Sequence, residues 1–398
     1  METADLTRTF GGMWQPPTEA ERLLYAAKCR GDCEGFLRLL ADFAMFVDVL
    51  KVHADADLDS ITFVPHWDPA GRLCLALRTR GELPPRRPDH VVSPTNLRLL
   101  ADSWLDDDAW LVVNPATPGE MYFPARQADR RKWRRIAKSA PRPGYGDDEL
   151  LTRYSGPLHG PLAHALACGA HLAVHEQVLW NDLGDVYDSY PTDTERLRDW
   201  WHVTHHGQWS RRLDHLLKAV TTAPEPKFVL RIRAELAQAH GTPPPVEVWH
   251  RTAEAALRHT GTPEPQTAAV LSLIGRILRY EARLQADGIL PPYGFVRSVN
   301  GYDSGQAVAL ARWGLGARFC EPTEAQQAVL RAGRACRETY GSWQEFAAGY
   351  ALGAVLRGGE QEFEHRYRSV LGPHRTLTHD PGSPWRHIPW PSEPTPGS

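Results

Sequence analysis

The apolar periodicity of this chain changes once, and that change constrains the fold more than any single motif. Up to about residue 125, apolar runs of strand length alternate with short helical stretches. Beyond about residue 149, apolar residues recur at helical spacing for most of the remaining chain. Between the two lies a basic run holding Arg126, Arg130, Arg131, Lys132, Arg134, Arg135 and Lys138, then a Pro/Gly-rich stretch with Pro141, Pro143, Gly144 and Gly146. At 398 residues the chain exceeds what one hydrophobic core serves. The expectation is an α+β protein. It has a tail at 1–17, a small α/β domain at 18–125, a linker at 126–148, a larger mostly α-helical domain at 149–371 and a Pro-rich tail, extended or disordered, at 372–398.

Within the first domain, Thr18 followed by Glu19 and Glu21 opens a helix to Ala27, and a second covers Glu34 to Leu40. Ala44 to Val52 reads as strand. Ser60 to Pro65 and Arg72 to Leu77 flank Asp68-Pro69-Ala70-Gly71, whose turn chemistry predicts a hairpin. Ser93 and Pro94 are placed as cap and first residue of a helix to Ala101. Ala109 to Val113 and Met121 to Phe123 are short strands.

In the second domain, Leu158 to Leu179 is an Ala- and Leu-rich helix, and Thr192 with Glu195 matches a capping box. Trp209, Leu213, Leu216, Leu217 and Val220 form a helical stripe. Helices follow over 228–239, 246–259 and 268–286, then a loop over 288–301. Ala325, Val329, Ala332, Cys336 and Tyr340 mark the next helix, and Ser342 with Glu345 caps another. Gly305, Ala307, Ala309, Ala311, Gly314 and Gly316 make residues 305–317 a segment that neighbouring helices approach closely.

The totals exclude several function classes. A net charge of −3 gives no global pull toward nucleic acid or anionic membrane. No apolar run approaches the ~18 to 20 residues of a membrane span, and the first residues lack a signal-peptide pattern. Six cysteines in such a length fit free thiols in a reducing, cytoplasmic setting. No P-loop, nucleophile elbow or H-E-x-x-H motif occurs, and no cofactor is called for.

Four groups of residues carry the chemical candidates. Asp303 and Arg312 are charged residues on an otherwise apolar helix, beside Trp313; as buried groups each needs a partner, in an ion pair or in a polar cleft with Trp343. Arg130, Arg131, Lys132, Arg134 and Arg135 would steer an anion, or pair with the acidic runs 106–108 and 147–149. On one continuous helix His164, His171 and His175 fall within roughly 40° of one another. His164 and His171 would be about 10.5 Å apart along the axis, too far to share an ion, so His171 and His175 are the metal-spaced pair. Fourteen tryptophans, with arginine far more abundant than lysine, suit both core packing and partner anchoring.

Two resemblances rest on specific segments. Residues 18–125 resemble the N-terminal domain of SseB-type proteins, through the helix at Glu19 to Ala27, the hairpin Phe63-Val64-Pro65 to Leu77, and Leu111-Val112-Val113-Asn114-Pro115-Ala116. Ala116 stands where that family usually has glycine. Residues 160–358 resemble the bacterial family DUF1266, through Leu166-Ala167-Cys168-Gly169-Ala170, Trp200-Trp201-His202-Val203, Tyr302-Asp303 with Leu310-Ala311-Arg312-Trp313-Gly314, and Ser342-Trp343 with Phe346, Tyr350 and Gly353. An arginine that often follows the family's aspartate by three residues is Gln306 here. The resemblances imply folds, and for the first a link to secretion or to serine sensitivity, without a defined chemistry.

The resulting expectation is a non-enzymatic cytoplasmic protein that binds an unidentified protein partner, in a secretion or toxin–immunity setting. An enzyme or effector with a polar or metal-assisted site in the helical domain is the alternative. Nucleic acid is not an expected partner.

Overall fold

The computed structural model describes residues 14–56, 64–104, 106–139, 148–184 and 190–390. A mixed sheet with helices forms the N-terminal part, and the C-terminal part is mostly helical.

Helix α1 (Glu19–Cys29) packs on α2 (Cys33–Asp42), whose Asp32 cap accepts from the Gly35 amide at 2.8 Å. Strand β1 (Met45–Leu50) runs directly into a short helix, α3 (Lys51–Ala56), where the periodicity predicts continued strand. Strand β2 (Pro65–Trp67) pairs antiparallel with β3 (Leu73–Thr79) across the expected Asp68–Gly71 turn. Asp68 ties that turn by accepting from the Ala70 and Arg72 amides at 2.9 and 2.8 Å. Residues 60–63 of the predicted hairpin lie outside the described residues.

Strand β4 (His90–Thr95) is at the sheet edge, with Pro94 opposite Phe46 of β1. Pro94 therefore belongs to a strand and does not open a helix: an edge position tolerates the missing donor. The helix expected there begins later, as α4 (Leu97–Ser103), capped by Asn96 accepting from the Leu99 amide. Strands β5 (Trp110–Val113) and β6 (Met121–Pro124) complete the order β4-β1-β3-β5-β6, in which only the β3–β5 pairing is parallel. The basic helix α5 (Gln127–Ser139) packs on α4 and α2 through buried Trp133 and Ile136. It is thus part of the first domain's helical layer. Residues 140–147 of the expected linker lie outside the described residues.

The predicted helix 158–179 breaks in two, α6 (Gly160–Ala167) and α7 (Ala170–His175). At the break, a Cβ on Gly169 would sit 2.5 Å from Cγ1 of Val308. Helix α8 (Tyr190–Trp201) starts before Thr192, which is inside it, so the expected capping box does not form. Then come α9 (His206–Leu217), α10 (Pro224–His240), α11 (Val246–His259) and α12 (Glu264–Ala286). Val220, expected on the α9 stripe, lies beyond the helix and is exposed.

Helix α13 (Asn300–Gly316) is buried on nearly every side, packed by α7, α8 and α9 and by α14 (Pro322–Thr339) and α15 (Trp343–Leu356). Its small residues make this possible. A Cβ on Gly314 would lie 2.1 Å from Nε1 of Trp209, which donates to the Leu310 carbonyl at 2.9 Å; one on Gly305 would lie 2.6 Å from the Tyr350 ring. The Ser342 cap of α15 forms as expected, accepting from the Glu345 amide at 3.1 Å.

The C-terminal stretch is not an extended tail. Helix α16 (Phe363–His379) runs through Pro373, and α17 (Pro384–His387) follows. The Trp385 and Trp390 indoles donate to the Ala167 and Tyr340 carbonyls at 3.2 and 2.8 Å. Packing of these partly buried rings against the helical core offsets the helix-breaking composition. Residues 391–398 lie outside the described residues. Among the described residues no helix is long and apolar enough to cross a membrane.

The two parts dock directly. The Tyr190 hydroxyl donates to Asp55 at 2.5 Å, Arg318 donates to the Pro88 carbonyl at 2.8 Å, and the Tyr154 amide donates to the Pro17 carbonyl at 2.9 Å.

Candidate functional site

Where the domains meet, a cavity of about 350 Å³ opens between the end of β3 and the helices α7, α8 and α13. Six charged residues line it: Arg80 from the first domain, and Glu176, Asp182, Asp193, Arg196 and Arg312 from the second. A second, larger space of about 680 Å³ shares Arg80, Pro94, Glu176 and Leu179 with it, so the cleft continues along the domain boundary.

Each charge is set by its own local structure. Arg80 follows β3 in a 3-10 turn, its guanidinium 5.3 Å from the Phe46 ring centre. Arg312 projects from α13 and donates to the Leu179 carbonyl at 2.6 Å. Among the described residues it has no carboxylate within ion-pair distance. Arg196 is shared between Glu176 at 2.5 Å and Asp193 at 3.4 Å, and its guanidinium lies 4.9 Å from the Trp313 ring centre. Asp182 accepts from the Gly184 amide at 3.0 Å and faces Arg153 at 3.6 Å.

Removal from water dominates the electrostatics here. Burial pushes the Asp193 carboxyl up to about 7 against the pull of Arg196, Arg312 and Arg80. Burial, and then repulsion from Arg312, lowers Arg80 to about 10. Burial lowers Arg312 as well. A guanidinium from each domain therefore lines one cavity, together with Arg196 and the carboxylates of Glu176, Asp182 and Asp193.

Of the sequence candidates, only Arg312 and Trp313 line this cavity. Asp303 is fully buried elsewhere, accepting from Arg357 at 2.6 Å and from the Thr222 hydroxyl and amide at 2.8 and 3.1 Å. Trp343 donates to the Ile388 carbonyl at 2.8 Å and stacks on Trp385 in an aromatic cluster. The polar cleft imagined around Asp303, Arg312 and Trp343 does not assemble.

The histidine stripe is divided by the α6–α7 break. His164 packs against Trp343 and Trp390, His171 stacks on Tyr350 at 4.2 Å, and His175 is exposed at the end of α7. Among the described residues no group of three or more His, Cys, Asp or Glu side chains has the arrangement to hold a metal ion. In the basic helix, Arg130 pairs with Asp107 at 2.5 Å, Arg134 with Asp102 at 2.5 Å and Lys132 with Glu34 at 2.9 Å, while Arg131 and Arg135 are exposed. The pairing spends three of the five charges on the first domain's own acids.

Sequence reasoning missed Arg80, Glu176, Asp182, Asp193 and Arg196. They come from separate segments, and only the i, i+3 spacing of Asp193 and Arg196 carries any local signal.

A helical domain built on a buried glycine- and alanine-rich central helix, closed against a sheet domain over a charged cleft, defines the class of protein. The C-terminal part is DUF1266-like: residues 196–390 match the model of that family, described as a protein of unknown function. The match starts later and runs further than the sequence resemblance, taking in α16, α17 and the Trp385–Trp390 segment. It includes Arg196, Arg312 and Trp313, and does not extend over the sheet domain. No curated protein and no solved structure matches the chain.

Proposed function

We propose that this protein binds a small anionic ligand, a carboxylate or phosphate, in the cleft between its two domains. The carrying observation is that Arg312 lines this cavity with one backbone carbonyl as its hydrogen-bond partner and, among the described residues, no carboxylate within ion-pair distance. A bound anion supplies Arg312 with charge-assisted hydrogen bonds, each worth about 1.5–3 kcal/mol. It would also tie the domains together, because residues of both line the cavity. Isothermal titration with small carboxylates and phosphates tests this. Binding should weaken about tenfold to a hundredfold in Arg312→Gln, as the loss of one such bond requires. Unchanged affinity in that variant would refute the site.

A second reading, a protein-interaction role, has support from two surface tryptophans. Trp67 on β2 and Trp200 on α8 are 63% and 64% exposed. Exposed tryptophans are unusual on a surface without a partner, and anchor interfaces when one is present. Paired Trp67→Ser and Trp200→Ser variants that leave capture of every stoichiometric partner unaltered would exclude it.

A further inference from the structure

A separate cavity of about 470 Å³ is lined entirely by residues of the sheet domain. Its size falls within the ~300–1,000 Å³ of small-molecule sites. It shares Phe46 with the interdomain cleft and none of that cleft's charged residues. Phe46, Leu75, Leu83 and Val92 give it a mostly apolar wall. Pro84 and Pro85, between the 3-10 turn and β4, have no amide hydrogen, so that side adds apolar surface and no donor. A smaller apolar space of about 130 Å³ shares Val64, Pro65 and Leu75 with it. Four polar side chains line the cavity: Asp48, His66, Arg78 and Arg87. Asp48 and Arg87 form an ion pair. Arg78, on β3, donates from Nη1 alone, to the Glu82 and Pro115 carbonyls at 3.3 Å each. Among the described residues it has no carboxylate within ion-pair distance, and its Nε and Nη2 have no protein partner. Burial holds its guanidinium below the ordinary value against the pull of Glu82 and Asp48. Glu82 is itself pushed up to about 7 by burial and by Glu21, so it is roughly half protonated near neutrality. With one carboxylate against two guanidiniums, the cavity lacks one negative charge.

We infer that this cavity is a second ligand site, which takes a small organic monocarboxylate with an apolar body. The carboxylate meets the Arg78 guanidinium, and the body lies against Phe46, Leu83 and the two prolines. A planar fork of donors matches a planar carboxylate in two parallel hydrogen bonds. A neutral ligand would leave Arg78 without a counter-charge. A phosphate dianion would bring a second negative charge beside Asp48. The apolar wall gains only when the acid carries a hydrocarbon body that removes it from water. The site is independent of the interdomain cleft and of the reading given for it.

The test titrates the full chain by calorimetry at pH 7.5 with hexanoate, phenylacetate, hexanamide, phenylacetamide and acetate. At least one of the two larger acids should bind about tenfold or more tighter than its amide, which cannot form the charge-assisted pair. The same acid should bind about tenfold or more tighter than acetate, which lacks the body. Arg78→Gln should lose that acid's advantage over its amide, while Arg312→Gln should bind it as the wild type does. Because Arg78 also holds two carbonyls, Ala76→Phe serves as a second variant: it places a ring in the cavity, leaves Arg78 in position and should abolish binding. Amide or acetate binding equal to the acids, loss of the acid's affinity in Arg312→Gln, or no binding by either larger acid overturns the site. If neither sheet-domain variant folds, the wild-type comparison of acid with amide, together with Arg312→Gln, still decides the matter.

Discussion

Asp303 takes its ion pair from Arg357 at 2.6 Å, and not from Arg312 on its own helix. The aspartate is fully buried and also closes the turn at Thr222. Removing one partner of a buried pair strands the other, at about 3–5 kcal/mol. Asp303→Ala should therefore lose roughly that much stability in chemical denaturation. Asp303→Asn combined with Arg357→Met should lose less than the two single changes together.

Arg312 has the opposite character. Its protein hydrogen bond is one carbonyl, and it repels Arg80. Arg312→Leu should leave the melting temperature of the ligand-free protein unchanged or raised, because relief of desolvation and repulsion offsets about 1 kcal/mol of lost hydrogen bonding. The same variant should lose any ligand-induced thermal shift.

Ala116 sits in the left-handed region with φ 64°, directly after Asn114-Pro115. Asn114 fixes that turn: its side chain accepts from the Thr79 amide at 2.8 Å and donates to the Thr79 hydroxyl at 2.9 Å. A non-glycine residue there costs about 1–2 kcal/mol, partly returned by lower unfolded-state entropy. Ala116→Gly should stabilise the protein by roughly 0.5–1 kcal/mol, read as a higher denaturation midpoint.

Three buried histidines make the protein acid-sensitive. Burial, with Arg337 adding to it, lowers His164 to about 4; burial, then His379 and Arg375, lowers His374 to about 4; burial and His374 lower His171 well below its ordinary value. Both ring nitrogens of His164 and His171 lack a hydrogen-bond partner among the described residues. Since their folded values lie below the unfolded 6.5, the unfolded state binds more protons in between. Stability should be full above pH 6.5 and fall toward pH 4 by up to about 1.4 kcal/mol per pH unit per histidine. Melting curves at pH 7.5, 6 and 5 check this, and His171→Phe should flatten the slope.

Much of the local structure was legible. The Asp68–Gly71 turn, the Ser342 cap and the close approach at Gly305 and Gly314 follow from residue type at short range. Where expectation failed, a distant neighbour had intervened. Val308 occupies the space at Gly169, β1 holds Pro94 in an edge strand, and the aromatic core draws Trp385 and Trp390 onto it.

The sequence by itself determined a sheet domain followed by a helical one, because periodicity and turn chemistry act within a few residues. Only the tertiary structure decided which charges meet. Arg80 and Arg312 come together because two domains dock across Tyr190, Arg318 and Tyr154. Asp193 faces both because Gly316 lets its helix lie close to α13. Charge pairing in a buried cleft depends on distance in space and on exclusion of water, and neither is written in the spacing of residues along a chain.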